Sequence, residues 1–436
     1  MSKKSLISFL NEEDFVGVIQ KKQEQFQKNN KTILFIEPYG AVVSLLKRGL
    51  ETGFNIIIFT ACSDLRIVPL KLIDSVQLAI EVDTADQNQV LKLAQLLSRH
   101  MQIDAVIPGF EYFVPIAAYV SRELNNFGIS LEHVMALRRK DLMRVALEKA
   151  RLIQPNFCIV KSLYELDEAI KKIGFPAVCK PIDAAGSVNV RKVNNRLEAV
   201  LAAIRILEGQ DILWGHSLSR VLLFEEYVEG KEFSLEGVVQ NGRVIHFSMT
   251  EKFVSDQLEF IEIGHIVNVP MQQALKNKIE KYVEDVISLL HIDHCPFHAE
   301  IRVTAKGQPI LMEIAARLAG DKIGDLINLS TSINYFDYVF AAYLGEILSP
   351  QKINHDYAGI RFFYRPEIES YSEVSGILEA KQLSIEEICL YYSKDQKIPS
   401  FPKPLRRLGH VIAKSHEYRD LLKILSEVDK NIVFYP

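Results

Sequence analysis

The chain has 436 residues, 48% apolar and 24% charged, a mix that excludes an intrinsically disordered or fibrous protein. Lysine and arginine number 51 against 55 acidic residues, and the net charge of −4 argues against nucleic acid as the main ligand, since phosphate-backbone binding needs a basic surface. No run approaches the roughly 18–20 apolar residues of a spanning helix, and the N-terminus turns acidic at Glu12 too early for a signal-peptide core. Membrane and nucleic-acid partners are therefore not expected. Five scattered cysteines with no C-x-x-C pair predict a reduced, cytoplasmic setting without a disulfide framework.

In chain order, residues 1–29 carry Leu6, Phe9, Leu10, Phe15, Val18, Ile19 and Phe26 at three- and four-residue steps. They predict an amphipathic helical arm, broken near Asn11. From Lys31 the pattern changes to continuous apolar runs, Thr32–Ile36 and Asn55–Thr60, the mark of strands buried on both faces. Further strands are expected near Ala79 and at Ala105–Pro108, alternating with helices at Ala41–Glu51, about Asp86–Arg99 and after Glu111. Such alternation means βαβ units, so residues 30–135 are expected to form a doubly wound parallel α/β domain. No G-x-G-x-x-G follows its first strand, so no dinucleotide site is assigned.

A cationic helix then runs from Leu137 to about Ala150, and another from Ser162 to Ile173. Strand Ala177–Lys180 precedes a loop of small residues, Asp183–Val190, and Val221–Val228 is a further strand. Asn241–Gly242 between two apolar-alternating runs is a strong hairpin signal. A second hairpin is expected to pair His298–Val303 with Pro309–Ile314. Residues 220–315 thus switch to antiparallel sheet, an α+β pattern. Short strands and a closing helix from Glu417 to about Asp429 complete the chain.

Three features could carry chemistry. Glu300 and Glu313 lie on adjacent strands of the second hairpin, and facing carboxylates are unfavourable unless a cation sits between them. Hard oxygen ligands suit Mg²⁺ or Mn²⁺; a solvated sheet face, or ion pairs with Arg302 and Arg317, would equally account for them. Lys180 ends a buried strand, either snorkelling or aimed at an anion, and the loop after it offers Gly186, the Ser187 hydroxyl and backbone N–H groups. Glu225, Glu226 and Tyr227 end a buried strand whose exposed backbone could read an adenine edge. The series His291, His294, Cys295, His298 has the look of a zinc set, but Pro296 breaks it. Cys179 has no His–Asp partners and is expected to be a buried strand thiol.

The order of these parts, from cationic helix through strand-end lysine, small-residue loop and E-x-Y-V strand to Glu/Glu hairpin with trailing arginine, resembles the ATP-grasp superfamily along essentially the whole chain. It is most similar to the carboxylate–amine ligases of that superfamily, the L-amino acid ligases and carnosine synthases. The resemblance implies ATP-clasping lobes at 136–349, with a lid subdomain at about 150–228, and a C-terminal lobe at 350–436. It implies ATP-binding roles for Lys140, Lys180, Gly186, Ser187, Glu225, Tyr227, Val228, Glu232 and Met312. Glu300 and Glu313 would hold Mg²⁺ or Mn²⁺. Arg317 and His265 would be catalytic, the first at the phosphate or substrate and the second facing the substrate pocket from the stretch Glu262–Pro270. The reaction implied is amide formation between an amino acid and an amine through an acyl phosphate, releasing ADP and phosphate. Small-molecule carboxylates and amines are the partners so implied, and the arrangement is compatible with a homodimer. A purine-pathway or biotin-carboxylase-like enzyme, or an ATP-binding regulator with weakened turnover, are the other readings. Two departures bear on them: the loop holds only Gly186 where several glycines are usual, and Ala315 replaces the asparagine of E-x-N-x-R, removing an oxygen ligand.

Overall fold

Ile33–Ile36 and Ile56–Phe59 are apolar at every position, and they lie at the heart of a five-stranded parallel sheet. Its order is Leu6–Ser8, Leu78–Glu81, Asn55–Thr60, Thr32–Ile36, Ala105–Pro108. Alternate residues serve opposite faces: Ile33, Phe35, Ile56 and Ile58 join one hydrophobic core, while Leu34, Ile36, Ile57 and Phe59 join another. Helix Gln87–Ser98 starts where expected because the Asp86 carboxylate accepts from the N–H groups of Asn88 and Gln89. The chain is described here by a computed structural model covering residues 6–8, 12–62, 68–255, 260–347, 356–400 and 406–436.

The N-terminal arm differs from the helical expectation. Leu6–Ser8 is a strand, pairing in parallel with Leu78–Glu81, and only Glu12–Lys22 is α-helix, followed by a 3₁₀ turn at Gln23–Gln25. Three residues are too few for periodicity to separate helix from strand, and an open sheet edge supplies the hydrogen bonds that decide it. The expected break at Asn11 lies outside the described residues.

A small antiparallel sheet follows, ordered Phe157–Val160, Leu222–Glu226, Ala177–Pro181, Arg191–Val193. Helices Leu163–Ile173 and Arg196–Leu207 close its core through Leu166, Ala169, Ala199 and Ala203. From this layer a short hairpin, Ile212–Leu213 with His216–Ser217, reaches the first domain. Trp214 at its tip packs 4.9 Å from Phe110 and 5.2 Å from Tyr112, ring centre to ring centre.

The largest sheet is antiparallel and has eight strands, ordered Pro309–Ala315, Cys295–Val303, Lys231–Gln240, Arg243–Val254, Glu262–Val267, Tyr357–Tyr364, Arg407–Ser415, Ile385–Leu390. Both hairpins expected from sequence are present. At the first, Asn241 and Gly242 take φ of 52° and 69°, the two left-handed residues that a type I′ turn requires. Beyond residue 350, Glu373–Ser375 and Val433–Tyr435 form a small two-stranded sheet, while Tyr357–Tyr364 pairs with Glu262–Val267, so the longer C-terminal strands extend the central sheet. Without them that buried strand would leave an edge of unpaired backbone groups. Among the described residues no helix is long and apolar enough to cross a membrane.

Candidate active site

Lys140 opens helix Lys140–Lys149, and its backbone N–H is tied to the Ile182 carbonyl at 2.8 Å. That tie places the side chain under the small-residue loop, where Nζ donates to the Ala184 carbonyl at 2.7 Å and to Glu313 at 2.9 Å. Lys180, on the facing strand, lies 2.6 Å from Glu225. Burial pushes the Lys180 ammonium down to about 8, outweighing the attraction of Glu225. Glu225 itself is opposed by burial but held down at about 2 by Arg144 and Lys180.

Arg144 is a residue that motif reasoning passed over. It is fully buried, donates to Glu225 at 2.6 Å, and also donates to the Leu311 and Met312 carbonyls at 2.9 and 3.1 Å. One guanidinium so joins the cationic helix, the Glu225 strand and the carboxylate hairpin. The Glu225 carboxylate is thereby engaged by two internal cations, Arg144 and Lys180.

The loop after Lys180 folds despite its single glycine because non-glycine residues adopt the left-handed backbone beside it: Ser187 and Asn189 have φ of 56° and 57°, next to 64° at Gly186. Ala184, Ala185 and Val188 are buried against the first domain's core, so the loop lies closed over the cleft. Val228 ends the hinge, and its carbonyl accepts from Arg302 at 3.0 Å. Tyr227 stands off the cleft wall, stacked on Phe260 at 6.3 Å and with the Lys192 ammonium over its ring at 3.9 Å. Glu232 receives two bonds from Arg302, at 2.9 and 3.0 Å. Met312 lines the cleft beside Glu313.

Glu300 and Glu313 are paired in register across the hairpin, as their spacing predicts. Glu300 contacts Lys252 at 2.6 Å and the His298 Nε2 at 3.3 Å. Burial raises its pKa, but these two cations overcome that and hold the carboxyl well below its usual range. Glu313 behaves in the opposite way. Burial, with Glu111 and Glu300 nearby, pushes it up to about 7 in spite of Lys140. Lys252 also contacts Glu262 and lies 3.7 Å from Glu232, so three carboxylates surround one buried ammonium. No spacing rule points to it, because its partners come from three other strands.

Arg317 donates to Glu111 of the first domain at 3.0 Å and to the Leu318 carbonyl at 2.7 Å, while its buried Nε has no hydrogen-bond partner. Glu111, fully buried, is another residue missed; burial opposes its ionisation, and Arg317, Lys140 and Arg138 together restore it. His265 does not reach the cleft, contrary to the expectation that it faces the substrate pocket. It is fully buried, with Nε2 at 3.1 Å from Asp321 and 3.5 Å from Glu262, and those two carboxylates stand at the cavity wall in its place. Burial lowers its basicity, but the two acids reverse this and raise it overall.

These residues enclose two adjoining spaces. One, about 140 Å³, is lined by Lys140, Lys180, Val228, Met312 and the two hairpin glutamates. The other, about 230 Å³, shares Gly186, Ser187, Glu262, Glu300 and Arg317 with it, and has Phe110, Trp214, Asp321 and Arg407 as further walls. The residue types fit a polyphosphate and a hard divalent ion: two buried lysines, an arginine Nε without a partner, and carboxylates in register.

The zinc-like series is dispersed. His291 bonds to Glu132 at 3.0 Å, the His294 ring packs on Phe127, Cys295 is a buried thiol with its pKa raised by burial, and His298 alone enters the cleft. Cys179 is likewise buried, its thiol pushed up to about 12, as befits a core residue.

Residues 173–325 match the ATP-grasp domain family, a stretch holding Lys180, the hinge, both hairpin glutamates and Arg317. The chain carries an ATP-grasp domain. The alanine–anticapsin ligase of Bacillus subtilis (strain 168) is 24% identical over 268 residues, 57% of this chain and 55% of that protein. The chain thus spans about half the length of that relative. An L-arginine-specific L-amino acid ligase of Bacillus subtilis is 21% identical over 341 residues, covering 74% of this chain and 79% of the relative. The crystal structure of an L-amino acid ligase from Bacillus licheniformis superimposes with a TM-score of 0.77 at 21% identity, over 94% of this chain and all (100%) of that one. The ADP-complexed N5-carboxyaminoimidazole synthetase from Staphylococcus aureus gives 0.68 at 17% identity, over 93% and 99%. The ATP-grasp fold, with its parallel N-terminal sheet and antiparallel clasping lobes, is therefore shared with both.

Proposed function

We propose that this ATP-grasp protein is an ATP- and Mg²⁺- (or Mn²⁺-) dependent carboxylate–amine ligase, joining an amino acid to an amine through an acyl phosphate with release of ADP and phosphate. The observation that carries the reading is the adjacency of the two spaces: the lysine and glutamate cleft opens, past Glu300 and Arg317, into a pocket walled by Phe110 and Trp214. The ligase names of the sequence relatives support it.

A carboxylate resists attack by an amine because its leaving group would be an oxide. Phosphorylation makes phosphate the leaving group, and the protein's task is positioning and charge neutralisation. Lys140 and Lys180 would hold phosphate oxygens, and the Val228 backbone would meet the adenine once Arg302 yields its carbonyl. Glu300 and Glu313 would hold the divalent ion, which when bound neutralises the β- and γ-phosphate charge. Arg317, steadied by Glu111 at the cleft wall, would offer its guanidinium charge to the acyl phosphate as it forms. Glu262 and Asp321, oriented from behind by His265, offer carboxylates to a substrate ammonium. The packed loop and Trp214 exclude water that would hydrolyse the intermediate. His265 acts as a positioning residue in this scheme.

The apolar wall of the second space favours an amino-acid side chain over bicarbonate or formate. Phosphate release measured over a panel of amino acids with Mg·ATP tests this. ADP formation should depend on an amino-acid substrate; ADP formed only with bicarbonate or formate would replace the reading with the purine-pathway or biotin-carboxylase alternative.

A further inference from the structure

Glu313 and Ala315, two apart on one strand, and Arg317, just beyond that strand's end, all line the cleft, and the middle one offers only the methyl group of Ala315. Directly across the hairpin from Ala315 stands His298, two residues before Glu300 on the same face of its strand. Its Nε2 is 3.3 Å from Glu300, and the ring lines both spaces of the cleft. Its Nδ1 is 2.9 Å from Glu236. Glu236 has no solvent exposure, and its other oxygen accepts from Thr250 at 2.6 Å. A fixed carboxylate orients the ring from behind, and the far nitrogen points beside a second carboxylate. Proteins present a histidine to a metal with this arrangement of second-layer support.

We propose that His298 Nε2 is a ligand of the divalent ion beside Glu300, so that the cation site is mixed nitrogen and oxygen instead of oxygen alone. The proposal rests on the ligase reading, since it takes that cleft to hold a divalent ion. The methyl group of Ala315 offers no metal ligand on its strand, and the residue paired with it across the hairpin is His298. On binding, the ion would displace the Nε2 proton, which leaves to solvent, and Nδ1–H would remain donated to Glu236. Lys252 keeps Glu232 and Glu262 as partners when Glu300 turns to the ion. An imidazole in the set shifts preference from Mg²⁺ towards Mn²⁺ and Co²⁺, which bind nitrogen more strongly.

The test uses the full chain with Mn²⁺ and β,γ-methylene-ATP, whose phosphate chain carries no nitrogen. Electron spin-echo spectra of the bound Mn²⁺ should show nitrogen coupling that changes when the protein is made with ¹⁵N-histidine. The coupling should vanish in His298→Gln, whose Mn²⁺ affinity in the nucleotide complex should fall about 10–100-fold, with a smaller change for Mg²⁺. Glu236→Gln should weaken Mn²⁺ binding while retaining the coupling. Mn²⁺ bound with nucleotide but without any histidine-nitrogen coupling would overturn the proposal and leave the ligase reading standing. Failure of the wild type to bind Mn²⁺ with the nucleotide analogue would overturn both. If His298→Gln does not fold, the isotope comparison in the wild type decides the matter alone.

Discussion

Glu300 and Glu313 are cross-strand partners, yet each carboxylate is claimed by a different lysine: Lys252 lies 2.6 Å from Glu300 and Lys140 2.9 Å from Glu313. Two like charges in register are tolerated in this way without an ion between them, and the same lysines must share or release them when one arrives. Glu313→Gln should abolish phosphoryl transfer while leaving the fold intact, because Glu313 lines the cleft and its amide can still accept from Lys140. ADP formation at saturating Mg²⁺ and thermal unfolding check the two halves. Unchanged turnover would remove the pair from the mechanism.

Lys180 gives a pH prediction with a definite sign. Burial lowers its ammonium from an ordinary 10.5 to about 8. Between about pH 8 and 10.5 the unfolded chain holds a proton that the folded chain has lost, so this group makes stability rise with pH there. Nucleotide affinity should move the other way, weakening above about pH 8 as the charge facing the phosphates is lost. Lys180→Ala should cost about 1–3 kcal/mol of ATP binding, the size of a charge-assisted hydrogen bond. Calorimetric titration at pH 7.5 and 9.5 separates these effects; a flat wild-type profile and an unaffected variant would make Lys180 a mere strand-end residue.

Arg144 is predicted to be the most costly single side chain of the site for stability. Arg144→Met strips Glu225 of one partner and leaves the Leu311 and Met312 carbonyls without their donor, all in a fully buried place. Breaking a buried pair from one side costs about 3–5 kcal/mol. Urea denaturation of Arg144→Met should show a loss of that order, partly restored by adding Glu225→Gln. A loss under about 1 kcal/mol would be incompatible with this account.

The reaction itself makes a prediction about atoms. If the acid is activated as an acyl phosphate, a carboxylate oxygen attacks the γ-phosphorus, and oxygen-18 placed in that carboxylate must leave in orthophosphate. The nucleotide product must be ADP. Two amino acids are the pair to try first. Label that stays out of phosphate during turnover, or AMP with pyrophosphate as products, would end the ligase reading.

Periodicity by itself determined much of this protein. Apolar runs such as Ile33–Ile36, short and bounded by turn residues, read as strands covered on both sides, and Asn241–Gly242 between alternating segments is a strong hairpin signal, so the parallel domain and both hairpins were legible in the sequence. The facing of Glu300 and Glu313 followed from the second hairpin's register. Partnerships across elements were not legible. Arg144 meets Glu225, Lys140 meets Glu313, and Glu111 meets Arg317 across separations of 81, 173 and 206 residues. The family resemblance implies that His265 faces the pocket, but packing buries it behind Glu262 and Asp321. Leu6–Ser8 became a strand because a sheet edge lay beside it. Local chain chemistry selects helix, strand and turn through short-range sterics and hydrogen bonding. Which charge a buried side chain meets is decided by desolvation, which favours ionised groups only where packing has already brought an opposite charge within a few ångströms.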